Sequence, residues 1–415
     1  MALGVLAVGG LLAAILGLFA YVSFTATPLH PDAQSVPSVQ HSDPAKQWDA
    51  AAERVREAMR VVLTEQNLPG LSVAVGAGDD IVWAEGFGYA DLEKRLPVEP
   101  GTRFRIGTAS TVLTSAGAGM LIESGQLALD DEIQTYVPEF PEKQWPVRLR
   151  QLMGHLGGLG NDGGDEGPLY GQHCERAVDA LPAFAERSLL FEPGTEYRYS
   201  SYGWILMSAA IEAAANEPFL SFMRTRVFEP LGMDDTTADS ATEPIPDRAI
   251  PYFPRFAADP RYGPDPMRTV DYSCYAGASV FLSTPSDLVR FGLGIKSGKL
   301  LKPDTVRLLQ TSQRLPSGGE TEYGLGWDLE NVTLAGEPTR VVGHDGSSLG
   351  GNVASLMTVP NRGLVIAVTS NVSYADTFAI ALKIAEIFAA EVPRAAPEAM
   401  SPQGEARAAS ERSPR

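Results

Sequence analysis

The chain has 415 residues, enough for two or three ordinary domains, and at 44% hydrophobic it is apolar enough to bury a core. Its formal net charge of −18 excludes nucleic acid and anionic lipid as natural partners, because phosphate binding needs clustered Lys and Arg. The two cysteines, Cys174 and Cys274, are too few for a disulfide framework and lack metal-ligand spacing; one disulfide and two free thiols both stay open.

Ala2 to Val22 is an uncharged apolar run, and the first charged side chain is Asp32. At about 1.5 Å per residue, a helix of this length crosses a hydrocarbon core of roughly 30 Å. A cleavable signal has a shorter apolar stretch and small residues one and three positions before the cut. Ala26 has Phe24 two residues before it and Ala20 has Leu18, so neither suits a peptidase. Residues 1–24 therefore read as an uncleaved membrane anchor rather than a signal peptide. Orientation is weakly specified, since no Lys or Arg precedes the run. Residues 25–44, rich in Pro, Ser, Asp and His, read as a linker.

A domain is predicted over 45–392. Asp43-Pro44 opens a helix, Asp as N-cap and Pro in the first turn, with Trp48, Val55, Met59, Val62 and Leu63 on its apolar face. Leu71–Val75 and Ile81–Ala84 flank the turn Gly78-Asp79-Asp80 as a hairpin. From about 111 to 302 the pattern is mostly helical with long loops. Tyr323–Leu329, Thr339–Gly343, Asn352–Val359 and Leu364–Thr369 read as strands, and Tyr374–Phe388 as a last amphipathic helix. Pro393–Arg415 has no periodicity and reads as a disordered tail. The fold class is α+β: an antiparallel sheet, broken in sequence, flanked by N- and C-terminal helices with an all-helical lobe inserted between its strands.

Three clusters carry hydroxyl, phenol and imidazole groups. The first is Thr108-Ala109-Ser110-Thr111, after the Gly turn that ends Phe104-Arg105-Ile106-Gly107. A helix brings residues i and i+3 to one face, so a hydroxyl meets whatever stands three residues on. Here that is Thr111, a poor base, and no Ser in the sequence has a Lys three residues after it. Hydroxyls at this point also serve as helix caps. The second cluster is Tyr199-Ser200-Ser201, where the phenol is a base only if its pKa falls far below about 10. The third is His344-Asp345-Gly346, where an edge His is suited to a substrate carboxylate or a proton relay and Gly to close approach. Cys274 reads as a small buried residue, with an alternative nucleophile as the competing reading.

In order, these clusters resemble the serine β-lactamase and penicillin-binding-protein superfamily, in its class C-like branch. Phe104–Thr111 resembles F-R-I-G-S-x-S-K, Phe191–Gly203 resembles F-x-P-G-x-x-x-x-Y-S-N-x-G, and Gly343–Gly350 resembles G-H-x-G-x-x-x-G. Met153–Leu159, Phe228–Met233 and Tyr323–Trp327 match the family outside the site. The resemblance implies a β-lactamase/transpeptidase-like fold over roughly Pro69 to Phe388. It implies Thr108, Tyr199 and His344 at catalytic positions, the backbone N–H groups of Thr108 and Ser347 as oxyanion hole, and Ser201 and Gly346 against substrate. It implies no metal and no cofactor. The family's Ser, Lys and Asn are replaced by Thr108, Thr111 and Ser201.

Two functions follow as expectations. One is a membrane-anchored, extracytoplasmic hydrolase of amides or esters, whether peptide, β-lactam or ester, acting through an acyl-enzyme with activity weak or lost. The other is a non-catalytic binding or scaffold protein that keeps the cleft. Both take a small-molecule or peptide ligand and no nucleic acid.

Overall fold

The computed structural model describes residues 2–41, 44–161, 168–256, 259–348 and 351–392, and the side chains of all of these except 2–8, 168, 351 and 352. The predicted tail from Pro393 lies outside the described residues.

Helix α1 (Ala2–Thr25) contains no charged residue. Its end rests on a loop: Phe19 meets Phe256 and Tyr262 edge-on, and the Arg255 guanidinium donates to the Thr25 hydroxyl at 3.0 Å. Leu11, Leu12, Ile15, Leu16 and Phe24 stay exposed. Among the described residues, no helix is long and apolar enough to cross a membrane; the side chains described for α1 begin at Gly9.

The segment expected to be a linker packs instead. The Leu29 N–H donates to Asn67 Oδ1 at 2.8 Å, His30 is buried with Nε2 3.0 Å from the Leu68 carbonyl, and Val36 is buried. Ser38–Gln40 forms strand β1. An unpaired sheet edge supplies the ladder partners, and composition does not reveal that edge. Helix α2 (Asp49–Glu65) starts later than expected, with Trp48 at its N-cap position and no side-chain cap bond. Asp43, the expected cap, lies outside the described residues.

Strands β2 (Gly70–Ala77) and β3 (Asp80–Asp91) form the N-terminal hairpin. After the lobe come β4 (Asp328–Leu334), β5 (Glu337–Ser348), β6 (Gly351–Val359) and β7 (Leu364–Ser370). Among the described residues these make an antiparallel sheet in the order β1-β3-β2-β7-β6-β5-β4, with Leu96–Pro97 added beside β3. The centre pairs Ala74 with Ala367, joining strands from the two ends of the domain. Tyr323–Trp327, expected as strand, is a turn with Tyr323, Leu325 and Trp327 buried, and the ladder starts at Asp328.

Side-chain alternation divides the core. Val73, Val75, Ile366 and Val368 face α2 and the last helix, Thr377–Ala389, where Phe388 meets Trp48 and Trp83 at centroid distances of 5.6 and 6.2 Å. Truncating such a ring costs on the order of 3–5 kcal/mol. Ala74, Val365, Ala367 and Leu356 face the lobe. There helix α3 (Ser110–Glu123) is buried almost all round, packed against α4 (Ser201–Ala215), so its sequence shows no single apolar stripe. Cys174 and Cys274 are joined, which closes the question of free thiols and removes Cys274 as a nucleophile.

Candidate active site

Thr108 stands in the turn between the short strand Phe104–Arg105 and α3. An ion-pair cluster fixes the strand: Arg105 Nε and an Arg248 guanidinium nitrogen hold the two Asp239 oxygens at 2.7 and 3.0 Å. The turn itself requires Gly107, whose φ is +51° and whose Cβ would lie 2.1 Å from the Ser347 carbonyl oxygen. Gly346 mirrors it, with a Cβ that would lie 1.9 Å from the Ile106 carbonyl. The turn and β5 therefore meet backbone to backbone.

At that meeting the β5–β6 register shifts between Gly346 and Ser347. The bulge turns the Ser347 N–H toward the turn. That N–H donates to Thr108 Oγ1 at 2.9 Å, and Thr108 Oγ1 donates to the Asp345 carbonyl at 3.1 Å. The hydroxyl thus bonds β5 and does not cap α3, whose start has no side-chain cap bond. Thr111, fully buried, donates its hydroxyl to the Thr108 carbonyl at 2.9 Å.

Thr108, Tyr199, Ser201, His344 and Ser347 all line one cleft of about 370 Å³. Gly346 lies beside it on β5 and spends its missing Cβ on Ile106. The Ser201 N–H donates to Asn161 Oδ1 at 3.3 Å, which ties the start of α4 to the opposite lip. Tyr170, Tyr275 and Ser279 complete that side. A larger groove of about 820 Å³, lined by Trp48, Trp83, Arg290 and Arg362, lies away from this cleft, so size does not choose the site.

Tyr199 and His344 line the cleft, and the rings of His155 and Tyr323 pack against them. His155 sits 4.2 Å from Tyr199 and 4.7 Å from Tyr323 between centroids. Its Nδ1 accepts the Ser200 N–H at 3.1 Å, so the neutral ring carries its proton on Nε2, which has no partner. Burial, helped by repulsion from His344, keeps this imidazole well below its ordinary pKa. The Tyr199 hydroxyl is buried beside the Thr108 hydroxyl. Burial pushes its phenol up; the nearby Thr108 hydroxyl offsets this in part, and Asp328 and Tyr197 add to it. Tyr323 is pushed well up by burial, then by Asp328 and the other two phenols. Its hydroxyl donates to His344 Nε2 at 3.1 Å, while His344 Nδ1 faces the Asp345 carbonyl at 2.6 Å and Asp328 Oδ2 at 3.8 Å.

The sequence named neither His155 nor Tyr323 for this site, although both lie in segments it had singled out. Asp328 and Asn161 carried no signal. Among the described residues no Lys or Arg lines the cleft, and no His/Cys/Asp/Glu group is placed to hold a metal. Among the described residues Asp328 and Asp345 are the acidic residues at its wall, and the Asp345 carboxyl accepts from Ser355, which also bonds Thr377 of the last helix. Asp345 is raised to about 6, chiefly by burial, with Asp328 and Glu330 adding and Ser355 and His344 opposing.

Comparison with known proteins places this geometry. The family model described as Beta-lactamase matches residues 51–391. The human serine beta-lactamase-like protein LACTB, mitochondrial, is 26% identical over 437 residues, covering 81% of this chain and 79% of its own length. A penicillin-binding protein of Bacillus subtilis strain 168 is 26% identical over 326 residues, covering 76% of this chain and 71% of its own. The crystal structure of FmtA from Staphylococcus aureus superimposes with a TM-score of 0.67 at 20% identity, over 86% of this chain and 94% of that one, which bears on the fold alone.

Proposed function

This chain belongs to the beta-lactamase family, and we propose on that premise that it is a β-lactamase-related hydrolase of amides or esters whose acyl-transfer step is slow or lost. In such a step Thr108 Oγ1 bonds to the carbonyl carbon of a small-molecule or peptide ligand and its proton leaves. The carbonyl oxygen takes the N–H groups of Thr108 and Ser347, and the departing amine or alkoxide takes a proton. Each requirement meets an obstacle. Burial keeps Tyr199 protonated, so it is a weak acceptor for the Thr108 proton. Thr111 supplies no charge to lower it. The Thr γ-methyl stiffens the nucleophile's χ1.

One observation carries the reading: the Thr108 hydroxyl already holds the Ser347 N–H at 2.9 Å. An oxyanion takes that donor only after the hydroxyl gives it up. The same contact supports a second reading, a binding protein that keeps the cleft and not the reaction. Intact-mass analysis of the full chain after incubation with a fluorophosphonate or a penicillin separates them. The hydrolase reading expects a slow adduct that maps to Thr108 and vanishes in Thr108→Ala. No adduct at any exposure leaves the binding protein.

The proposal extends to location. The exposed apolar side chains of α1 favour a membrane-associated N-terminus, and the Cys174–Cys274 disulfide favours an oxidising, extracytoplasmic compartment. The full chain is expected with membranes, and a chain beginning at Pro28, which keeps β1, in the soluble fraction. Full-length protein in the soluble fraction overturns this part.

A further inference from the structure

We infer that Tyr272 is a positioning residue for acyl transfer: its side chain holds the Thr108 turn and the Ser347 bulge in register, so that their two N–H groups aim at one oxyanion. The inference rests on the reading of Thr108 as the acylated residue and adds the group that keeps that site in shape.

The reason lies in what acylation removes. Among the described residues, both hydrogen bonds that join the turn to β5 run through Thr108 Oγ1. Once that oxygen bonds an acyl carbon, neither persists in its present form. Gly107 and Gly346 permit the close approach of the two backbones but do not enforce it, since a missing Cβ is not an attraction. Tyr272 supplies an attraction that does not use Oγ1. Its hydroxyl shares a buried 2.7 Å hydrogen bond with the Ser348 hydroxyl, one residue past the N–H in question. The Arg105 guanidinium lies over its ring, 4.5 Å from the centroid, and Arg105 stands three residues before Thr108. Asp239 in turn fixes Arg105 and Arg248. The two ends of one buried side chain thus reach the two segments that each supply an oxyanion donor.

Tyr272 is itself held from the ligand side. Tyr170 meets it edge-on at 5.2 Å and stacks on Tyr275 at 4.5 Å, and both of those rings line the cleft. Cys274, two residues on, is tied to Cys174 by the disulfide. A group that sets a distance must have its own place fixed, and these contacts fix it. Packing alone does not account for the hydroxyl, because a Phe ring fills nearly the same volume. The hydroxyl is spent on Ser348.

The test is Tyr272→Phe in the full chain, with Ser348→Ala as the second variant, which leaves the ring in place and removes the same bond. Isotope-labelled serine amides are read by NMR. The Ser347 amide proton is expected to move upfield in both variants, toward its position in Thr108→Ala, where the bond to Oγ1 is gone. The Ser72 amide, in the central ladder opposite Thr369, is expected to stay. The double variant is expected to move Ser347 no further than either single one, because both changes cut one bond. For an adduct at Thr108, kinact with a fluorophosphonate is expected to fall about tenfold with KI unchanged, since the donors act on the transition state. A Ser347 amide that does not move overturns the inference, as does one that moves together with Ser72. Thermal melts check folding: if Tyr272→Phe does not fold, Ser348→Ala decides, and failure of both marks Tyr272 as structural and overturns it too. The amide shift without an adduct on the unaltered chain keeps the inference and removes the hydrolase. An adduct formed equally fast by Tyr272→Phe does the reverse.

Discussion

The amide nitrogen of Ser347 and the hydroxyl of Thr108, 239 residues apart in sequence, are joined by a 2.9 Å hydrogen bond. The bond makes the nucleophile candidate its own competitor, since it occupies a donor that the reaction needs. It exists because the bulge at Gly346/Ser347 and the Gly107 turn bring two backbones into contact.

Restoring the family pair is expected to release chemistry. Thr108→Ser removes the methyl, and Thr111→Lys puts an ammonium beside the Tyr199 and Tyr323 phenols, which lowers their pKa values. The double variant is expected to hydrolyse a nitrophenyl ester roughly tenfold or more faster than the unaltered chain, with neither single change sufficient, because such groups act as a unit. Thr111 is fully buried, so the new charge also lowers stability, and melting is measured beside rate. A folded double variant with no gain in rate would falsify the idea that only these two positions block the reaction.

Asp345 gives a pH signature. Its carboxyl is raised from 3.8 to about 6 in the folded chain by burial, with Asp328 and Glu330 reinforcing, and Ser355 and His344 opposing. Between those values the folded state holds a proton that the unfolded state has lost. Its contribution to stability is therefore present at low pH, falls as pH rises from about 4 to about 6, and stays lost above. Asp345→Asn is expected to exceed the unaltered chain by on the order of 1–3 kcal/mol near neutral pH, with the gap closing toward pH of about 4. Denaturant melts across that range check it; a gap that does not change with pH counts against the assignment.

Gly346→Ala drives a methyl to 1.9 Å from a backbone carbonyl that cannot step aside. The expected loss is roughly 2–4 kcal/mol. Gly101→Ala is the control, since nothing lies within 4 Å of its Cβ. Equal midpoints for the two variants contradict the close approach.

Replacing Cys174 and Cys274 together by Ala opens a link that spans 100 residues. The expected cost is roughly 2–5 kcal/mol, read from denaturant midpoints with and without reductant. The unaltered chain is expected to lose the same amount on reduction, and the variant nothing. A reductant effect on the variant points elsewhere.

The sequence carried the sheet-and-lobe architecture because strands and amphipathic helices leave periodic marks. It named Thr108, Tyr199, Ser201, His344 and Ser347, which line one cleft, through ordered motifs. It missed β1 because a short polar edge strand takes its order from the ladder it joins. It started α2 too early, since the Asp43-Pro44 signal is followed by a turn up to Trp48. Asp328 carried no mark because nothing in its neighbours in sequence reports the cavity it faces. The buried His155 was visible only as a family letter; its place between two phenols is a tertiary fact.

The pairing of Ala74 with Ala367 also sets a timetable. A ribosome adding about 5–20 residues per second completes the β2–β3 hairpin long before β7 exists. For a separation of nearly three hundred residues, the apolar edge of β2 waits on the order of 15–60 seconds without its neighbour. Among the described residues, only the β2–β7 ladder joins the two halves of this sheet. The sheet is therefore completed only after β7 has left the tunnel.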